Sequence, residues 1–181
     1  MAAVLSATSG PSISGSLVIV VVATIDGAPR AVRFDPPAEL RCILYIPDRP
    51  LATREMRAAL PATVPFKDAI HNVGASSLAV AAMASGRLAL LRSATIDRLH
   101  EPYRAQVFPQ LPLLVAAARG AGALGACLSG AGSTVIAFAE AGSDVAAIGA
   151  AFSAVAAEQD LPGRVEVVAP RNAGATVLAA A

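Results

Sequence analysis

The longest unbroken run of apolar and β-branched residues covers residues 17–25, LVIVVVATI. A membrane helix needs about 20 apolar residues, so this run is about half long enough. Residues 111–128 are apolar overall but contain Pro112, Arg119 and several glycines. No stretch can therefore become one long buried rod. The chain is restricted to short strands and helices that bury one another. Residues 17–24 are continuous and β-branched, which predicts a strand buried on both faces.

The first sixteen residues, with Gly10, Pro11 and Gly15, read as a loop. Asp26-Gly27 is a turn signal, so residues 31–34 return as a partner strand. Residues 40–46, LRCILYI, form a further strand ended by Pro47-Asp48. Next come helical patterns: residues 53–60 with Thr53 as cap and Pro61 as stop, then residues 67–85 closed by Gly86. Leu88, Leu91, Ile96 and Leu99 continue at helical spacing until His100-Glu101-Pro102-Tyr103-Arg104 breaks it. Leu111, Leu114, Val115 and Ala118 mark another helix. Residues 123–128 and 134–139 read as strands around the turn Ser129-Gly130-Ala131-Gly132-Ser133. Ser143 caps a helix carrying Val145, Ile148, Phe152 and Val155. Residues 165–168 and 175–178 complete the strands. The order predicts an α+β fold, with helices on one face of a mainly antiparallel sheet.

Composition narrows the function. The 181 residues carry a net charge of +1, so no basic stripe marks a nucleic-acid partner. Thirteen of the fourteen basic residues are Arg, with Lys67 the exception, and alanine occurs 43 times, which together look like a coding bias. Cys42 and Cys127 form no CxxC pair, which argues for free core thiols rather than a disulfide framework or zinc cluster. The start of the chain has no basic segment ahead of an apolar one, so a cytoplasmic location without membrane contact is expected.

Several groups of residues could carry chemistry. In LSGAGSTV, Gly130 and Gly132 let backbone approach a ligand and let N–H groups converge on an anion. A permissive hairpin turn explains the same residues. The run from Asp97 to Arg104 gathers ionisable groups where a helix should stop. Arg104 has the planar fork that suits a carboxylate or phosphate, and a solvated helix end with local ion pairs is the plainer reading. Thr53 and Arg57 share a face of the 53–60 helix. His71 reads as a packed or surface histidine. No Walker loop, GxGxxG before a helix, HExxH or Ser-His-Asp arrangement occurs.

The order of these segments resembles a known family. T-x-E-x-R-A-x-L-P, then D-A-I-H-N, then D-R-L-H-E-P-Y-R, then G-A-L-G-A-C-L-S-G-A-G-S-T is similar to the C-terminal region of homoserine kinases. These belong to the GHMP small-molecule kinase superfamily. The resemblance covers residues 40–178, with residues 17–22 matching the strand before it. It implies a ferredoxin-like C-terminal domain over residues 40–181, and a remnant of an N-terminal domain over residues 1–39. It implies Mg-ATP-dependent phosphorylation of the L-homoserine hydroxyl, in threonine biosynthesis. The family's substrate arginines fall on Arg57 and Arg104. Its nucleotide-proximal glycine turn falls on Ser129, Gly130, Gly132 and Thr134, with Ser133 where most members have proline. The family's phosphate loop, P-x-x-x-G-L-G-S-S-A, and its H-x-D-N segment have no match here.

Three readings follow. The chain is a truncated homoserine kinase, or a non-catalytic amino-acid-binding module of the same fold, or a different GHMP kinase; H-E-P-Y-R argues against the last. Either a second copy or a separate N-terminal half is the expected protein partner. A truncated chain should leave the 17–24 strand with an unpaired edge or an exposed apolar face.

Overall fold

The computed structural model describes residues 2–6, 16–49 and 51–170, and of residues 2–25 it describes the backbone alone. The strands are β1 (Ala2–Ser6), β2 (Ser16–Ile25), β3 (Ala28–Arg33), β4 (Leu40–Pro47), β5 (Gly125–Leu128), β6 (Val135–Glu140) and β7 (Gly163–Pro170). The helices are α1 (Thr53–Ala58), α2 (Phe66–Ser85), α3 (Leu91–Ala94), α4 (Glu101–Arg104), α5 (Leu111–Gly120) and α6 (Val145–Glu158). One turn of 3₁₀ helix, Leu88–Leu90, leads into α3.

The sheet runs β1-β2-β7-β4-β6-β5, with β3 also paired to β2. Its second half has the ferredoxin-like arrangement: β4, α5, β5, β6, α6 and β7 in sequence give the spatial order β7-β4-β6-β5. All three pairings within that half are antiparallel. Helices α1 to α4 are inserted between β4 and α5.

Strand alternation divides the core into two layers. Ile43 and Tyr45 of β4, with Val135, Ala137 and Ala139 of β6, face α5 and α6 through Leu111, Leu114, Ile148 and Phe152. Leu40, Cys42 and Leu44, with Ile136 and Phe138, face Ala82, Met83, Leu88 and Leu91. Helices thus cover both faces, not one. β4 and β6 read as near-continuous apolar runs because neither face meets water. Burial pushes the Cys42 thiol up to about 12, so it is an inert core group.

Other expectations need correction. Residues 2–6 form strand β1 rather than a loop. Thr53 does not cap α1; Ala52 stands at that position without a side-chain bond. Asp144, not Ser143, caps α6, its carboxylate accepting from Ala147 N–H at 2.9 Å. The 17–24 strand is paired among the described residues, with β1 along residues 18–22 of β2, β3 along residues 20–25 and β7 at Ser16 and Leu17; whether it has an exposed apolar face lies outside the described side chains. The strand expected at residues 175–178 lies outside the described residues. Gly86 does close α2, in the left-handed conformation at φ 72°. No helix among the described residues is long and apolar enough to cross a membrane.

Candidate functional site

Helix α4 is a single turn, too short to persist without support. Its support begins at Asp97. One carboxylate oxygen accepts the N–H groups of Leu99 and His100, at 2.5 and 2.8 Å. The other pairs with His100 Nδ1 at 2.8 Å. Asn72 of α2 donates to Asp97 at 3.2 Å and accepts from Arg98 N–H at 2.9 Å. Alongside, His71 Nε2 lies 3.1 Å from the Ile96 carbonyl. Burial alone would raise the Asp97 carboxyl, but the hydrogen bonds from His100 and Leu99 outweigh it and hold it at about 2. The segment before α4 is therefore fastened to the N-terminal half of α2.

Two side chains of α4 then reach the glycine turn. Glu101 Oε1 accepts from Leu128 N–H at 2.5 Å, at the end of β5. Burial is the largest influence on this carboxyl and raises it to about 7, with the Asp97 charge adding to the effect. Arg104 Nη1 donates to the Gly130 carbonyl at 2.8 Å, and Arg104 Nε to the Met56 carbonyl at 3.4 Å. Arg104 thus links α4, α1 and the turn.

The turn is built for close approach. Ser129 N–H donates to Thr134, and Gly132 N–H to Ser129, at 2.8 and 3.1 Å. Gly130 and Gly132 sit at φ 62° and 103°, where a side chain is strained. A Cβ on Gly132 would stand 3.0 Å from Met56 Cε, whereas one on Gly130 would meet nothing within 4 Å. Met56 is fully buried and anchors α1 beneath the turn. Arg57, the next residue, is exposed, and its guanidinium has no hydrogen-bond or ion-pair partner among the described residues.

The structure therefore brings Arg104 directly to Gly130, while Arg57 follows Met56 in α1 and no contact joins its side chain to Arg104 or the turn among the described residues. Ser129 and Thr134 meet through their backbones rather than their hydroxyls. Sequence reasoning missed the bracing roles of Asn72, Asp97 and Glu101. They stood inside the quoted segments; Asn72 and Glu101 act on partners 25 or more positions away, whereas Asp97 binds Leu99 and His100 beside it as well as Asn72. Two cavities lie elsewhere. One of about 330 Å³ sits behind α4 against Glu101, Leu111, Val115 and Arg119. One of about 260 Å³ lies between Tyr45, Asp160 and Gly163. Among the described residues no group of three or more His, Cys, Asp or Glu is placed to hold a metal.

Comparison with known proteins gives a consistent result. Residues 78–158 match the family model described as GHMP kinases C terminal. The homoserine kinase of Caldicellulosiruptor bescii is 40% identical over 121 residues, covering 67% of this chain and 39% of that protein. That of Deinococcus radiodurans is 42% identical over 111 residues, covering 61% and 36%. The chain thus spans well under half the length of the curated relatives it matches. The crystal structure of homoserine kinase from Cytophaga hutchinsonii superposes with a TM-score of 0.75 at 25% identity, covering 84% of this chain and 48% of that one. L. major mevalonate kinase, at TM-score 0.61 and 21% identity, shares the fold.

Proposed function

We propose that the chain supplies the amino-acid side of a homoserine kinase site, a reading supported by the match of residues 78–158 to the family model described as GHMP kinases C terminal and by the similarity of the surrounding region to homoserine kinases. In this reading residues 40–181 are the C-terminal kinase domain and residues 1–39 the adjoining edge of the N-terminal one. The reaction is transfer of the terminal phosphoryl group of ATP to the hydroxyl of L-homoserine, a cytoplasmic step of threonine biosynthesis. Arg57 and Arg104 hold the substrate carboxylate. Ser129, Gly130, Gly132 and Thr134 lie beside the nucleotide phosphates, where Mg would neutralise charge.

The observation that carries this reading is the double anchorage of Arg104. A guanidinium has five N–H groups in a rigid fork. Carbonyl bonds to Met56 and Gly130 engage two of them, leaving three to form a planar donor set suited to a carboxylate. The fork is held before the substrate arrives, which lowers the cost of orienting it. The N–H groups of Gly130 and Ala131 have no partner among the described residues and can face an anion. Phosphoryl transfer is mostly positioning and charge stabilisation, so a corner joining both arginines to such a turn suits it.

One observation favours a second reading. The anchored Arg104 fork serves an amino-acid carboxylate whether or not a phosphoryl group is transferred, which also fits a non-catalytic amino-acid-binding module of the same fold. A coupled ADP-release assay on the purified chain, with Mg-ATP and L-homoserine, separates the two. Homoserine-dependent turnover that Arg104→Ala abolishes supports the kinase. Arg104-dependent homoserine binding without turnover supports the module. Absence of both overturns both readings.

A further inference from the structure

Ser133 lies in the glycine turn but outside the set of turn residues assigned a role above. Among the described residues it is the only serine, threonine, amide or charged residue that is buried, at 9% exposure. A buried hydroxyl normally keeps a hydrogen-bond partner, because leaving water without one is costly. More exposed hydroxyls in this chain find one locally: Ser77, Ser85, Thr95 and Ser153 each donate to the carbonyl four residues before. The buried Tyr45 hydroxyl donates to the Leu161 carbonyl. Ser133 Oγ has no partner among the described residues. Yet none of their side-chain nitrogens or oxygens is both fully buried and unpartnered. The small part of Ser133 that stays open therefore includes its hydroxyl.

The surroundings decide what meets it. Gly130 and Ala131, just before it in the turn, have N–H groups without partners. The space over Gly130 is open, and the space beside Gly132 is filled by Met56 and Leu128 side chains, which offer no oxygen acceptor. Arg104 brings a positive charge to the Gly130 carbonyl. Donors without acceptors, next to a guanidinium and facing open space, suit an anion. A phosphoryl group has three strong acceptor oxygens, and hydrogen bonds to its charge are stronger than those to water. We infer that the Ser133 hydroxyl donates to the phosphoryl group at this turn, beside the Gly130 and Ala131 N–H groups. The inference rests on the kinase reading of this corner and adds to it a binding residue and a ligand, O-phospho-L-homoserine. That product of the proposed transfer carries an amino-acid carboxylate for Arg104 and a phosphate monoester for the turn.

Calorimetric titrations of the purified full chain with O-phospho-L-homoserine and with L-homoserine test it. The two ligands share the carboxylate and the ammonium group and differ only in the phosphate, so the ratio of their affinities isolates the turn. Ser133→Ala removes the hydroxyl and keeps the Cβ. Loss of a hydrogen bond to a charged group should weaken O-phospho-L-homoserine at least roughly tenfold. Binding of L-homoserine should stay unchanged, which also shows that the variant is folded. Equal weakening of both ligands would mark Ser133 as a structural residue and overturn the inference. Unchanged binding of both by Ser133→Ala would overturn it too, and would leave the kinase reading standing. A native chain that binds neither ligand would overturn that reading and the inference together.

Discussion

Two carboxyl groups four residues apart, Asp97 and Glu101 with their shifts in opposite directions, show how much of the site is decided by single residues. Glu101 has an ordinary value of 4.5 and titrates at about 7 in the folded chain. From about pH 5 to 7 the folded chain keeps a proton that the unfolded chain has lost. Stability therefore falls as pH rises through that window. Urea titrations at a series of pH values should show this decline. Glu101→Gln keeps an acceptor for Leu128 N–H and should flatten it. Asp97 behaves oppositely, being lowered from 3.8 to about 2. Its contribution is present above about pH 4 and is lost as pH falls toward 2. Asp97→Ala removes the acceptor for four donors and should cost about 2–3 kcal/mol at neutral pH, measured by the same titration.

At the scale of elements, the apolar runs of β4 and β6 and the helical spacing of α2, α5 and α6 were legible, because period and burial are local signals. Gly86 was legible too, since only its left-handed turn has to fit. What escaped were side-chain devices that neither period nor turn chemistry announces, some of them local and some reaching distant partners. Residues 101–104 looked like a helix break, yet they form α4, because Asp97 satisfies the N–H groups of Leu99 and His100 ahead of it. Arg104 stood out as a planar fork suited to an anion, but nothing local shows that it ties Met56 to Gly130. Gly125 is another such position. A Cβ there would stand 2.5 Å from Thr95 Oγ1 and 2.7 Å from the Leu91 carbonyl, so β5 and α3 meet across a missing side chain. Gly125→Ala should destabilise the chain by about 2–3 kcal/mol through that backbone clash. Asp144→Ala, which removes only the α6 cap, should cost about 1 kcal/mol. Thermal melts of the two variants should rank them in that order.

At the scale of the whole molecule, the sheet joins two unequal parts. The β7-β4-β6-β5 half has a core layer on each face, and the β1–β3 part is attached through Ser16 and Leu17 of β2. The candidate site lies at one corner of the larger part, where α1, α4 and the 129–134 turn meet. The segments that meet at that corner are legible as motifs in sequence order, but their contacts are long-range and are not. The central claim is that Arg104 is a fork held ready for an amino-acid carboxylate. Calorimetric titration of L-homoserine into the purified chain tests it most directly. Saturable binding that is lost in Arg104→Ala and weakened in Arg57→Ala, with both variants still folded by circular dichroism, is the predicted result. Undiminished binding in Arg104→Ala, or no binding by the native chain, would contradict it.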